Sequence, residues 1–511
     1  MNGTTLLILG TFAAYMLMML LIGAAYMKTG KSTEDYFLGG RSLGGWVVAL
    51  SAQASDMSGW LLMGLPGSVY ALGTGQMWIA VGLFLGTVAN WLIISGRLRR
   101  YTIVANNSLT LPAYFENRFH DKKRILLGIS SVVIVIFFLV YTASAFASGG
   151  KLFSSVFGAS YHLSLTISAV IILGYTFMGG FMAVCVTDFI QGMLMIVALV
   201  TVPVVAYAML GGDVTAAVEQ TGVTAANFLN VMKNGDSNFT AVEIISQLAW
   251  GLGYCGMPHI LVRFMAVKNQ KELNKSKGIA IVWVIISLAM AVVIGVIGRA
   301  YLYPTVLGAD GGSTETVFIE MITRLFTQDL RLPIIAGLFL CGILAAIMST
   351  ADSQLLVTAS SMSEDIYKGI IKKNASEDKV MKMSRYTVIG VAVLAYLIAW
   401  DPNSSIMGLV SNAWAGLGAA FGPTVLMSLF WRRCNLPGAI AGIVSGGLTV
   451  IIWDYIPLAA GQTLGAATGL YSLAIGFLIS IVLIVIVSLA TKAPDASILA
   501  EFDRVASDEE I

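Results

Sequence analysis

The chain has 511 residues, of which 57% are hydrophobic and only 11% are charged. Soluble domains carry roughly 25% charged residues, so this composition excludes a cytosolic enzyme and a disordered chain. A formal net charge of +2 also excludes a nucleic-acid binder. Four cysteines are too few for a disulfide framework, and His120, His162 and His259 are too scattered to suggest a metal site.

A helix needs about 20 mostly apolar residues to cross the hydrocarbon layer. Thirteen stretches qualify: 4–27, 44–73, 76–96, 125–150, 160–181, 184–210, 239–262, 279–302, 332–362, 386–400, 404–431, 437–456 and 468–490. The first reads as an anchor and not a cleavable signal, because its apolar run is long and Lys28 and Lys31 follow it. The second carries Ala54-Ser55-Asp56-Met57-Ser58-Gly59 mid-span, with Pro66 and Gly67 beyond. The seventh packs three glycines and a proline into Gly251–Pro258. Gly and Pro weaken helices, and an unwound turn in lipid must satisfy its backbone groups with something. A bound cation or a polar substrate can do so, while the same glycines would also serve close helix packing. Gly438, Gly442 and Gly446 in the twelfth span read as a plain packing stripe.

Asp56, Asp188 and Asp352 are ionisable groups within spans, which are costly there and mark ion paths. Each could instead be a carboxylate satisfied by neighbouring hydroxyls. In the ninth span Ala346, Ser349, Thr350 and Ser353 share one helical face by spacing. Hydroxyl and carbonyl oxygens suit a hard alkali ion, so this face and the break in span two together form a candidate Na⁺ cage. Trp250 and Tyr254 lie at the break in span seven; Tyr141 lies in span four. Aromatics in spans are commonly core, and these three are candidates for an apolar pocket wall.

Lys and Arg mark cytoplasmic segments. With the N-terminus outside, twenty-five of the thirty fall on the cytoplasmic side, in 28–43, 97–124, 263–278, 363–385, 432–436 and the tail. The outer segments 211–238 and 303–331 are expected to hold short surface helices, one at 314–326, and the tail is expected to fray. The two breaks lie about 197 residues apart with an odd number of spans between them, which inverts the second copy. The chain thus divides into 1–43, a first repeat 44–210, an outer loop 211–238, a second repeat 239–431, two added helices 432–490 and a tail 491–511. The fold expected is an all-α polytopic membrane protein with about thirteen helices and a five-plus-five inverted-repeat core broken at helices two and seven. No G-x-x-x-x-G-K-[ST], H-E-x-x-H or G-x-S-x-G motif stands out, which argues against an ATPase, protease or lipase.

The stretches Ala54–Gly67 (ASDMSGWLLMGLPG), 251–266 (GLGYCGMPHILVRFMA) and Ala345–Thr350 (AAIMST) resemble the sodium:solute symporter family, and within it the bacterial branch that carries proline. FLGGRSLG at 37–44, LTLPAYF at 109–115, Thr187-Asp188 and SNAWAGLGAAFGP at 411–423 extend the likeness over nearly the whole chain. The resemblance implies a LeuT-like core and one Na⁺ moving with one L-proline across the bacterial cell membrane, without nucleic acid or an obligate protein partner. It implies a sodium site at Ala54, Met57, Ala346, Ser349 and Thr350, and proline contacts at Ser58, Tyr141, Trp250, Tyr254 and Pro258. Asp56 and Asp188 correspond to acidic residues tied to sodium. A second cation site in some members falls on Asp188, Ser349, Asp352 and Ser353. There the carboxylate of Asp352 replaces a hydroxyl, which could strengthen a cation site, hold a proton or pair with a neighbour. Pantothenate, a betaine or another small carboxylate is the alternative cargo.

Overall fold

The computed structural model describes residues 3–26, 37–177, 180–308, 313–459 and 461–507. Lys28, Lys31 and the acidic Asp508–Glu510 lie outside the described residues. Among the described residues, ten helical segments are long and apolar enough to cross a membrane. They are α1 (Gly3–Tyr26), α4 (Met77–Ala89) running on into α5 (Ser95–Val104), α7 (Ile125–Phe157), α9 (Phe181–Met209), α12 (Gln270–Tyr301), α14 (Pro333–Ser360), α15 (Glu377–Ile398), α16 (Ile406–Phe430), α17 (Leu436–Tyr455) and α18 (Ser472–Ala490). Helix α8, Tyr161–Thr176, is shorter. The two remaining expected spans are interrupted. The second is α2 (Gly45–Asp56), a two-residue break, a wide turn at Trp60–Gly64 and α3 (Leu65–Leu72). The seventh is α10 (Ala241–Leu248), a tight turn at Ala249–Gly256 and α11 (Pro258–Met265). Short α6 (Leu111–Arg118) lies between α5 and α7.

Local chemistry accounts for these boundaries. Thr240 and Glu243 cap the start of α10 reciprocally. Pro66 and Pro258 sit in the first turns of α3 and α11, where a missing N–H costs nothing. Glycines let the backbones close. A methyl on Gly251 would stand 2.1 Å from the Gly82 carbonyl oxygen, and one on Gly446 2.1 Å from that of Ala419. The glycines of the seventh span therefore serve packing as well as the break, and the Gly438–Gly446 stripe packs on α16 and α18 as expected.

Helix α14 sits at the centre, with nearly every residue from Ala336 to Ser360 buried. The rim is apolar: Leu17, Leu21, Val170, Leu397 and Leu489 are all exposed. Such a surface is unfavourable in water and suited to lipid. Two expectations are corrected. The 314–326 helix does not lie along the surface. Its residues Val317–Thr323 form α13, whose Val317, Phe318, Ile319, Met321 and Ile322 are buried, so apolar burial holds it inside the bundle. The tail does not fray before residue 507. It forms α19 (Ala496–Ala506), held by buried Ile498, Phe502 and Val505 and by the Arg432–Asp503 ion pair.

Candidate functional site

The centre of the site is built by the break in α2. In a continuous helix the amide of Ser58 would donate to the carbonyl of Ala54. Here it donates to Asp56 O instead, at 3.0 Å. Ala54 O is thereby released from the helix, and the hydroxyl of Ser349 on α14 donates to it at 2.8 Å. The Ser349 hydroxyl also lies 3.2 Å from Ala346 O. One turn-neighbour along, the Thr350 hydroxyl is fully buried and has no hydrogen-bond partner. Thus Ala54, Ala346 and Ser349 touch through their oxygens, and Thr350 sits beside them. Met57, at the break itself, is buried, and its sulfur accepts a hydrogen bond from Trp283 Nε1.

The second break meets the first through Asp56. Tyr254, from the turn 249–256, donates its hydroxyl to Asp56 Oδ2 at 2.6 Å, while Oδ1 has no partner. Trp60 Nε1 donates to the Asp56 carbonyl at 2.9 Å, which fixes the turn that follows the break. Ser58 accepts the Trp60 amide at 3.3 Å. Tyr141, on α7, brings a buried hydroxyl without a hydrogen-bond partner close to Ser58 and Trp60. Sequence spacing offered no reason to place Tyr141 there; only the packing of α7 does.

Trp250 and Pro258 bracket this centre on opposite sides. Trp250 stacks on Tyr471 with ring centroids 5.2 Å apart. Both line a cavity of about 510 Å³ with Gln76, Gln247, Ser405 and Asp454, on the face that the charge count puts outside. Pro258 lines a narrow cavity of about 20 Å³ on the other side, with Arg263, Ser353 and Thr110. That volume is about one water's worth of probe space. The side chains of Ser58, Tyr141 and Tyr254 are buried and line neither cavity.

Asp188 and Ser353 meet at Arg263, one of the charges that mark the cytoplasmic boundary by sequence, with Asp352 beside Ser353. Arg263, on α11, is 1% exposed and pairs with Asp188 Oδ2 at 3.0 Å. The same nitrogen donates to Ser353 Oγ at 2.6 Å, and Nε donates to Ser51 Oγ at 3.0 Å. Ser51 in turn donates to Asp188 at 2.7 Å, and Ser353 lies 3.4 Å from Asp352 Oδ1. Two of the four groups named for a second cation site, Asp188 and Ser353, therefore already hold a positive charge, the guanidinium. Arg263 is withdrawn from the topology count, which leaves twenty-four cytoplasmic charges. One signal was available: it is an arginine within the apolar run that follows Pro258.

His259 and Trp414 are not among the site candidates that the sequence singles out. His259 is fully buried between Phe138 and Tyr141, with neither ring nitrogen bonded. Trp414 donates to the Trp250 carbonyl at 2.8 Å and meets Tyr254 edge-on. Nothing in an apolar stretch distinguishes such aromatics before the helices are packed.

Residues 36–446 match the sodium:solute symporter family. A sodium/proline symporter of Staphylococcus aureus is 44% identical over 502 residues, covering 96% of this chain and 94% of that one. A sodium/proline symporter of Escherichia coli (strain K12) is 45% identical over 496 residues, covering 96% and 95%. Among solved structures, the substrate-bound outward-open state of a Na⁺-coupled sialic acid symporter superposes with a TM-score of 0.79 at 20% identity, covering 96% of this chain and 98% of that one. That likeness establishes the fold.

Proposed function

The chain belongs to the sodium:solute symporter family, and from that premise we propose that it couples the inward movement of Na⁺ to uptake of L-proline by alternating access across the bacterial cell membrane. The observation that carries the reading is the oxygen cluster at the α2 break: a carbonyl freed from its helix, a serine hydroxyl turned onto it, and a threonine hydroxyl with no partner. Carbonyl and hydroxyl oxygens gathered in this way suit a small, hard cation.

In this mechanism Na⁺ takes the carbonyls of Ala54, Met57 and Ala346 and the hydroxyls of Ser349 and Thr350. Ser349 then no longer needs to donate to Ala54, because the ion satisfies that carbonyl. Binding pins the end of α2 to α14 and so fixes Asp56 and Ser58, the next residues along. Asp56 holds the second break through Tyr254, so the ion sets the position of both halves of the substrate pocket. Proline, a zwitterion with an apolar ring, sits between the breaks. Tyr141, Trp250 and Tyr254 flank the ring, and Ser58 with the unwound backbone takes the polar ends; Pro258 forms the inner wall. Asp188, Asp352 and Ser353 lie on the inward route, held by Arg263.

Proline enters through the wide cavity beside Trp250, on the outer face, with the N-terminus outside and the C-terminus inside. Closure there and opening beside Pro258 deliver both cargoes. Each charge moved is worth about 2.3 kcal/mol per 100 mV of membrane potential. Coupling is reciprocal, so proline raises the apparent Na⁺ affinity as Na⁺ raises that of proline. The deciding experiment is labelled-proline uptake into proteoliposomes under an imposed inward Na⁺ gradient, with unlabelled pantothenate and betaine as competitors. Concentrative uptake that proline alone suppresses is expected. Its absence refutes proline symport.

A further inference from the structure

Beyond α14 the helix widens into a looser turn over Ser361–Ile371. Wide turns of this kind are frequent at functional sites. Asp365 lies on it, 4% exposed, roughly 23 Å along the helix from Thr350 at 1.5 Å per residue. Its Oδ1 accepts the Thr110 hydroxyl at 2.8 Å, and its Oδ2 is buried with no partner. Two other acidic groups line the same cavity of about 370 Å³, and each has its own cation. Glu116 pairs with Arg124 at 3.0 Å and Glu364 with Lys368 at 3.2 Å. Lys373 stands exposed on the rim. Asp365 alone among these acids has no cation within ion-pairing distance.

Asp365 is also connected to the centre. Thr110 lines both this cavity and the narrow one that reaches Ser353 and Arg263. Ser361, on the wall of the narrow cavity, has a fully buried hydroxyl without a partner. Hydroxyls of Ser353, Ser361 and Thr110 thus mark a polar way from the Arg263 cluster toward the Asp365 carboxylate. A buried carboxylate oxygen with neither donor nor cation is unfavourable unless it takes up a proton or a cation fills the place.

We propose that Asp365, with Thr110, Ser361 and Glu364, is a second, weaker site for a monovalent cation, at the cytoplasmic mouth, where Na⁺ pauses between the central cage and the cell interior. The inference rests on the Na⁺ symport reading. Its test therefore uses right-side-out vesicles of cells expressing the full chain, with outside and inside Na⁺ set independently and proline uptake as the readout. If the unaltered protein shows no Na⁺-driven uptake, symport itself fails.

Given that uptake, Asp365→Asn should raise the internal Na⁺ needed for half-inhibition by roughly tenfold, the worth of one contact to a charged group. The external Na⁺ for half-maximal uptake should not change, and Asp365→Glu should restore the internal value. Ser361→Ala, which leaves the carboxylate and the Thr110 contact in place, should shift internal Na⁺ inhibition in the same direction by a smaller factor. A purely structural role for Asp365 moves both faces together or only lowers the amount of protein. The proposal is overturned by equal shifts on the two faces, by no internal shift in Asp365→Asn, or, where that variant is absent from the membrane, by no internal shift in Ser361→Ala.

Discussion

Two adjacent hydroxyls on α14 make different demands, and replacing them one at a time tests the sodium cage. The Thr350 hydroxyl has no hydrogen-bond partner within the protein. Thr350→Val keeps its shape and removes only the hydroxyl, so the ion-free state loses nothing. The ion-bound state loses a ligand to a charge, about 1.5–3 kcal/mol, which is about ten- to hundredfold in the Na⁺ concentration for half-maximal uptake. Ser349 already donates to Ala54 O at 2.8 Å. Ser349→Ala therefore strands a buried carbonyl in the ion-free state, costing about 1–3 kcal/mol, and also loses a ligand in the bound state. The two losses largely cancel in affinity. A net of about 1 kcal/mol or less is expected, about fivefold or less in half-saturating Na⁺. Stability without Na⁺ should show the reverse order, with Ser349→Ala unfolding earlier and Thr350→Val at least as stable as the parent. Initial rates of labelled-proline uptake against external Na⁺ give the first comparison; thermal unfolding of purified protein in choline buffer gives the second. A larger Na⁺ shift in Ser349→Ala than in Thr350→Val, or unchanged Na⁺ dependence in both, would refute the cage.

Three further outcomes follow from the same contacts. Trp250→Ala removes a ring proposed to flank proline, an aromatic contact worth about 0.5–1.5 kcal/mol beyond area. The proline concentration for half-maximal uptake should rise about three- to tenfold, with Na⁺ dependence at saturating proline little altered; a change confined to protein yield would make Trp250 a core residue only. Asp188→Asn leaves Arg263 with an uncompensated buried charge, costing about 3–5 kcal/mol. Thermal unfolding should show that loss and its partial recovery in Asp188→Asn/Arg263→Met, whereas additive losses would mean that the two charges do not act as a pair. Gly251→Ala drives a methyl into the Gly82 carbonyl, while Gly278→Ala meets open space. Size-exclusion profiles of detergent extracts should show the first aggregated and the second monodisperse, and two equal profiles would contradict the close approach.

Legibility from the sequence differed between residues for identifiable reasons. The breaks at Met57-Ser58 and Met257 were visible because Gly and Pro act on their own backbone. Ser349 and Thr350 were visible because helical spacing alone puts them on one face with Ala346. Asp56 stood out as a charge among apolar neighbours. Arg263 carries the same signal but lies at the edge of a span, where arginines ordinarily mark the cytoplasmic boundary. Segment 314–326 was placed on the surface because it falls between spans, although its apolar residues had no lipid to face and fill the bundle instead.

Composition, apolar length and local helix breakers determined the membrane class, the succession of spans and the two interruptions, since each depends on a residue and its near neighbours. Tertiary structure alone decided which groups meet. Ser349 reaches the Ala54 carbonyl across 295 residues, Tyr254 reaches Asp56 across 198, and Arg263 reaches Asp188 across 75. Tyr141 comes close to Ser58 and Trp60, and Trp250 stacks on Tyr471, for the same reason. An apolar helix face is equally compatible with lipid, core or pocket, and the choice is made by what packs against it.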